Sequence, residues 1–277
     1  MKLIITGATG SAGSEVLRQA LLDSRITAVT TLTRSPLPPY ILASCRDPTS
    51  SDSAESPAKL TQIVHSDFSS YPPDLVERLG DHDACVWALG RSSVGMNEAD
   101  YTRLTHDYAV AAAKAFGQLR RHEDDPKERK FVFAFLSGSR ATQTPSKASG
   151  FFSTPISVLK LHRTEPLGRT ELALAQSPHV QAYSFRPAFI VPQTLPPPEH
   201  RSDYNTPFYQ SLGKLIGSVS SAGAVGADVL AKAMIQACID GATPGGLPGW
   251  EGKGKPGDDG AFENAEIRRL GGGLGAK

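Results

Sequence analysis

The sequence predicts an α/β fold of the doubly wound type, a mostly parallel sheet with helices on both faces, and three observations lead there. Short runs of apolar and β-branched residues alternate with amphipathic stretches along most of the chain, the signature of repeated βαβ units. The first run, Lys2 to Thr6, breaks directly into three evenly spaced glycines, Gly7, Gly10 and Gly13. The length of 277 residues suits one such domain with a small C-terminal region.

Lys2 to Thr6 is short, apolar and rich in Ile, as a strand covered on both faces should be. The spacing Gly7-Ala-Thr9-Gly10-Ser11-Ala12-Gly13 is G-x-x-G-x-x-G, and each glycine has its own task. One makes the tight turn, one lets backbone N–H groups approach a pyrophosphate, and one lets the next helix pack close. That helix starts near Ser11, so its positive end points at the phosphates. Ala28 to Arg34 is a second strand, and Ser35 to Lys59, with five prolines and many serines, reads as a long exposed loop. Gln62 to His65 and Asp83 to Leu89 are the third and fourth strands. Asn97 to Gly117 is a helix capped by Asn97, and Arg121 to Arg129 a charged turn.

Lys130 to Ser137 is the clearest central strand. Residues 140–166 resist assignment. Helix resumes at Gly168 to Gln176, followed by a strand from Val180 to Phe185, and Leu195 to Pro198 breaks regular structure. Helices follow near Pro207 to Gly217 and over Ala227 to Asp240, the latter ended by Gly241. The stretch from Ala242 to Gly260 is Gly- and Pro-rich and reads as an irregular tail, with a short final helix near Asn264 to Leu270. The domain proper thus spans 1–241, with 35–59 and 140–166 as its loop and insertion, and 242–277 the tail.

Composition narrows the function classes. Lys plus Arg is 29 against 28 acidic residues, so a net charge of +1 gives no general attraction to nucleic acid or to anionic membrane. No apolar run is long enough to span a bilayer, and the strand at residue 2 leaves no room for a leader before it. Three separated cysteines without a C-x-x-C, and seven scattered histidines without an H-x-x-x-H pair, predict no metal site and a cytoplasmic location.

At the end of the second strand a dinucleotide fold places an acid for the ribose of NAD or an Arg for the phosphate of NADP. Thr33-Arg34-Ser35 has no acid there, so Arg34 favours NADP(H) over NAD(H), against the alternative of a solvated strand-end arginine. Asp67 and Phe68 follow the third strand, where an acid and an apolar neighbour contact the adenine. Ala88, Leu89 and Gly90 end the fourth, where small residues admit the cofactor.

Together these residues resemble the short-chain dehydrogenase/reductase superfamily in its atypical branch, nearest to the NmrA-like and Tat-interacting-protein oxidoreductases. The likeness also rests on His106-Asp-Tyr108, Leu136-Ser137-Gly-Ser139, Gly168-Arg-Thr-Glu171 and Phe185-Arg-Pro187. It implies a Rossmann-type sheet of order 3-2-1-4-5-6, hydride transfer to or from a carbonyl, and a nicotinamide lined by Pro187 to Val191, with Pro187 and Ile190 in contact. Its chemistry uses a Ser that orients the substrate, a Tyr that moves the proton, and a Lys four residues later that lowers the Tyr pKa. Ser137 matches the first role, or else caps a strand end.

The family's Lys directly precedes a Gly-x-x-Glu, which puts Leu167 at the Lys position and Arg163 at the Tyr position. No tyrosine lies between Tyr108 and Tyr183. The pair is missing, which implies weak or no activity. NmrA-like relatives imply an alternative, a non-catalytic NADP(H) sensor or scaffold with a protein partner. Other relatives imply peripheral association with the mitochondrial outer membrane. Residues 149–166, with two prolines where the family has its Tyr-bearing helix, read either as translated sequence foreign to the original exon or as a diverged loop. A small-molecule substrate is not legible from Arg91 to Asn97 or Pro192 to Pro207.

Overall fold

In the computed structural model the described residues are 1–45, 58–91, 96–119, 130–139, 141, 155–200, 206–219, 223–243 and 260–272, with backbone alone for 155–164, 209 and 217–219. The charged turn at 121–129, and residues 46–57, 92–95, 142–154 and 201–205 of the expected loops, lie outside them.

Seven parallel strands form the main sheet in the order β3-β2-β1-β4-β5-β6-β9. The strands are β1 (Lys2–Thr6), β2 (Ala28–Thr33), β3 (Leu60–Val64), β4 (Ala84–Trp87), β5 (Phe131–Leu136), β6 (Val180–Arg186) and β9 (Ala261–Glu263). The expected order 3-2-1-4-5-6 is therefore present, with a seventh strand beyond it. That seventh strand corrects the reading of the C-terminal region, because residues 261–263 pair with Ser184–Arg186. Three residues are too few to show a period, and burial explains them: Phe262 is fully buried and stacks on Phe185 with ring centroids 4.7 Å apart.

One face of the sheet is covered by α1 (Ser11–Leu22), α2 (Pro39–Ser44), α8 (Ala227–Ala242) and α9 (Asn264–Gly272). Their apolar faces, including Val16, Leu17, Ile41, Leu230, Met234 and Ile267, join one buried cluster. The other face carries α3 (Pro73–Arg78), α5 (Tyr108–Phe116) and α6 (Pro155–Ala175), sealed by Trp87, Phe116, Phe131, Phe133 and Leu174. Helices on both faces of a parallel sheet are what near-continuous apolar strands require.

Several expectations need correction. The supposed loop after β2 contains α2, started by Pro39 in the first turn, where no N–H is needed, and anchored by buried Leu37, Ile41 and Cys45. The helix expected over Asn97 to Gly117 is present as α4 (Glu98–Thr102), a five-residue π-helical segment (Arg103–Asp107) and α5. Asn97 caps it as expected, accepting from the Asp100 amide at 2.8 Å.

Helix α6 begins at Pro155 and runs through Pro166, so neither proline breaks it. Pro155 sits in the first turn, where its missing N–H costs nothing, and the carbonyl of Pro166 accepts the Thr170 hydroxyl at 2.6 Å. Gly241 is not a helix stop but lies inside α8, where a Cβ would press on Val132 and Tyr183 at 3.0–3.1 Å. Two further strands, β7 (Phe189–Val191) and β8 (Ala224–Gly226), pair in a small second sheet, with α7 (Pro207–Val219) between them in sequence.

Candidate cofactor site

Where β1 ends, Gly7 turns the chain with φ +68, and the Gly10 amide donates to the Gly7 carbonyl at 2.9 Å. A Cβ on Gly7 would lie 2.2 Å from the Ala88 carbonyl oxygen, and one on Gly13 would lie 2.1 Å from the Gly7 oxygen. Both glycines are therefore demanded by the fold: the first by its left-handed φ and the approach of β4's end, the second by the packing of α1 on the turn.

Gly10 is different. Its φ of −84° and ψ of 167° suit any residue, and a Cβ there would meet nothing nearer than the Gly7 oxygen at 3.4 Å. Nothing among the described residues requires a glycine at this position. The Ser14 amide is bonded to the Gly10 carbonyl at 2.9 Å, so the Ala12 and Gly13 amides ahead of it have no partner within the helix. They lie at the positive end of α1, with no acidic residue in its first turn.

In front of this turn is a cleft of about 180 Å³. Thr9, Gly10, Ser11 and Ser14 form one wall, Tyr40, Ile41 and Ser44 of α2 the second, and Thr194 to Pro197 the third. A larger cleft, about 250 Å³, lies between α1 and α8 against Gln19, Asp23, Arg25 and Lys232, away from the turn and from every motif residue.

The other sequence-expected residues sit along the C-terminal edge of the same sheet. Arg34 is exposed directly after β2. Asp67 is exposed, and its carboxylate accepts from the Ser69 amide at 3.0 Å, from the Ser69 hydroxyl, and from the Ser70 hydroxyl at 3.0 Å. Those bonds hold the carboxyl below its ordinary pKa. Phe68, in contrast, is buried between His65, Trp87 and Tyr108, so its ring serves the core. Ala88 and Leu89 are half-buried against the turn, and Gly90 is exposed with open space where a Cβ would stand. Pro187 is buried at the end of β6, and Ile190 pairs with Val225 in the small sheet.

Ser137, at the end of β5, does not stand alone. Its hydroxyl donates to Glu171 Oε1 at 2.5 Å, and its amide to the Phe185 carbonyl at 2.8 Å. Glu171, on α6 and almost fully buried, is held by the Arg186 guanidinium, with Nε at 3.0 Å from Oε1 and Nη2 against Oε2. Arg186 in turn reaches Glu263 at the end of β9 at 3.0 Å. This Ser–Glu–Arg–Glu chain ties α6 to three strands. Leu167, directly before Gly168, sits over the Gly138 backbone, where a Cβ would meet its Cδ1 at 3.2 Å. On the neighbouring π-helical segment, His106 Nδ1 lies 3.2 Å from the Thr170 hydroxyl, and burial followed by the charge of Arg169 holds its imidazole below the ordinary pKa.

The places of Glu171, Arg186 and Tyr40 in this arrangement escape a sequence reading. The first two sit inside motifs whose role is written in three dimensions, and Tyr40 lies in a segment whose prolines and serines suggest a loop.

No family model matches the chain. Leucinostatins biosynthesis cluster protein T of Purpureocillium lilacinum is 28% identical over 137 residues, which cover 50% of this chain and 42% of that protein. The match thus spans less than half of that relative. Among solved structures, Gre2 of Candida albicans in complex with NADPH is similar, with a TM-score of 0.57 and 14% identity over 86% of this chain and 74% of that one. UDP-glucuronic acid 4-epimerase of Bacillus cereus in complex with NAD gives a TM-score of 0.52 and 15% identity over 90% of this chain and 75% of that one. A thiolation-reductase di-domain from an archaeal non-ribosomal peptide synthetase gives 0.54 and 12%, over 86% and 67%. Strand order and these neighbours agree: the chain has a Rossmann-type doubly wound α/β fold.

Proposed function

We propose that this protein binds a nicotinamide dinucleotide across the glycine turn, with its diphosphate on the Ala12 and Gly13 amides. The observation that carries this reading is Gly10, a glycine that neither its backbone angles nor its protein neighbours demand. A side chain there would take up space at the cleft that Thr9, Ser11 and Ser14 line. The residues present fit the group: N–H donors at a helix N-terminus, hydroxyls beside them, and no carboxylate in the lining among the described residues. Exposed Arg34 beyond β2 supports a preference for NADP(H), through charge on the additional phosphate. When bound, a nicotinamide supplies a hydride donor or acceptor.

What the chain's own residues do next favours weak turnover or none. Leu167 cannot assist a proton transfer, and no tyrosine lies between Tyr108 and Tyr183. The Ser137 hydroxyl is turned to Glu171. A second reading, a cofactor-sensing regulatory or scaffold protein, draws on this same observation, since the groups at the β5–β6 end satisfy one another. Three free, buried cysteines suit a cytoplasmic setting for either reading.

Fluorescence titration with NADPH and NADH tests the binding. Wild type is expected to bind both, NADPH more tightly, with Arg34→Ala removing the difference. Gly10→Ala is expected to weaken both by about tenfold or more, which corresponds to about 1.4 kcal/mol, while its melting temperature stays unchanged. Equal affinity in Gly10→Ala and wild type would overturn the assignment. Bound NADPH that is not oxidised across a panel of aldehydes, ketones and quinones supports the sensor. Turnover that Ser137→Ala abolishes supports the enzyme.

A further inference from the structure

The cleft wall opposite the glycine turn carries a specific chemistry. It is built by α2, which begins five residues after Arg34, and β2's end is where a doubly wound fold places the adenosine-side ribose. Among the described residues no charged side chain lines the cleft; Thr9, Ser11, Ser14, Tyr40, Ser44 and Thr194 supply hydroxyls instead. Among them Ser44 is committed to the Ile41 carbonyl at 2.7 Å and Ser14 to the Ser11 carbonyl at 3.4 Å. Tyr40 makes no hydrogen bond among the described residues, and partial burial raises its pKa, so the phenol keeps its proton as a donor. Its ring is fixed from behind by His200, stacked at 4.9 Å between centroids and 24° between planes. His200 closes the short 3₁₀ turn Pro198–His200 and so joins the third wall of the cleft to the second.

We infer that Tyr40 is a cofactor-contacting residue. Its phenolic O–H donates to an oxygen on the adenosine-side ribose of the bound dinucleotide, and His200 is the positioning residue that holds the ring in place. The inference rests on the dinucleotide reading above. It assigns recognition of the ribose end to a neutral donor on a preorganised ring, with Arg34 adding charge from outside the cleft. Fixing a ring beforehand lowers the ordering cost of binding.

Titration of NADPH and NADH against Tyr40→Phe, His200→Ala and His200→Phe tests it. Tyr40→Phe keeps the ring and the stack and removes only the hydroxyl. It is expected to weaken binding three- to tenfold, about 0.7–1.4 kcal/mol, as for one hydrogen bond. Loss for NADPH alone places the donor on the ribose phosphate, and equal loss for both places it on an oxygen the two cofactors share. His200→Ala is expected to weaken both cofactors two- to fivefold, and His200→Phe to restore them by restoring the stack. Unchanged affinities in Tyr40→Phe, with wild type binding normally, overturn the inference and leave the dinucleotide site standing. Wild type that binds neither cofactor overturns both.

Discussion

The two ends of the sheet's C-terminal edge are built on opposite principles. At the β1–β4 end, backbone amides and hydroxyls face a cleft, and Gly10 keeps that space clear. At the β5–β6 end, the polar groups face one another: Ser137 to Glu171, Glu171 to Arg186, Arg186 to Glu263. The first end leaves its polar groups facing open space, and the polar groups of the second end pair with one another. A buried charge pair must be matched and hydrogen-bonded to be tolerated at all, which makes the second end a structural joint. Under the proposed function, binding and chemistry are therefore separable in this chain.

The comparison breaks most visibly at the joint. Glu171→Ala takes from the buried Arg186 guanidinium its fully buried carboxylate partner, and is expected to lower stability by about 3–5 kcal/mol in urea denaturation. At the other end, Gly7→Ala forces a methyl toward the Ala88 carbonyl at a positive φ and is expected to cost about 2–4 kcal/mol, whereas Gly10→Ala is expected to cost less than about 1 kcal/mol. A Gly10→Ala protein as unstable as Gly7→Ala would remove the distinction between fold-demanded and ligand-demanded glycines.

A smaller effect sharpens the contrast. Ser137→Ala removes one hydrogen bond to a charged group that keeps Arg186, so about 1–2 kcal/mol of stability is expected to go, with dinucleotide affinity unchanged. A large loss of affinity instead would return Ser137 to the cofactor end.

The smallest effect concerns pH. His82 is buried, with Nδ1 at 3.1 Å from the Leu79 carbonyl and Nε2 at 2.8 Å from the Thr30 hydroxyl, and desolvation lowers its pKa from the ordinary value of 6.5. Its folded-state pKa is below the unfolded one, so its contribution is complete above about pH 6.5 and is lost as pH falls toward the lowered value. Denaturation midpoints at pH 7.5 and 5.5 are expected to differ less in His82→Gln than in wild type.

The first six strands and the glycine turn were legible because their causes are local, while the strand order came with the family resemblance. A buried parallel strand writes itself as an apolar run, and a turn with positive φ and close backbone contacts writes itself as glycine. Arg34 and Ala88 to Gly90 were legible for a related reason, since a strand's end fixes where its next residues lie. The π-helical segment, α2 and β9 were not legible. Each is held by contacts between residues far apart in sequence, as when Phe262 stacks on Phe185. Pro166 in α6 misled for the same reason, since local propensity argues against a helix that tertiary packing keeps.

The sequence by itself determined that a doubly wound sheet has a glycine turn after its first strand, and that no tyrosine lies between Tyr108 and Tyr183. Both follow from residue identity at fixed spacing along one chain segment. Only the tertiary structure decided what surrounds them. It brought Glu171 and Arg186 to Ser137 from two other elements, and it set Tyr40 across the cleft from Gly10 with His200 behind it. Side-chain partners separated by tens of residues leave no period to read, because their pairing energy appears only once the sheet has formed.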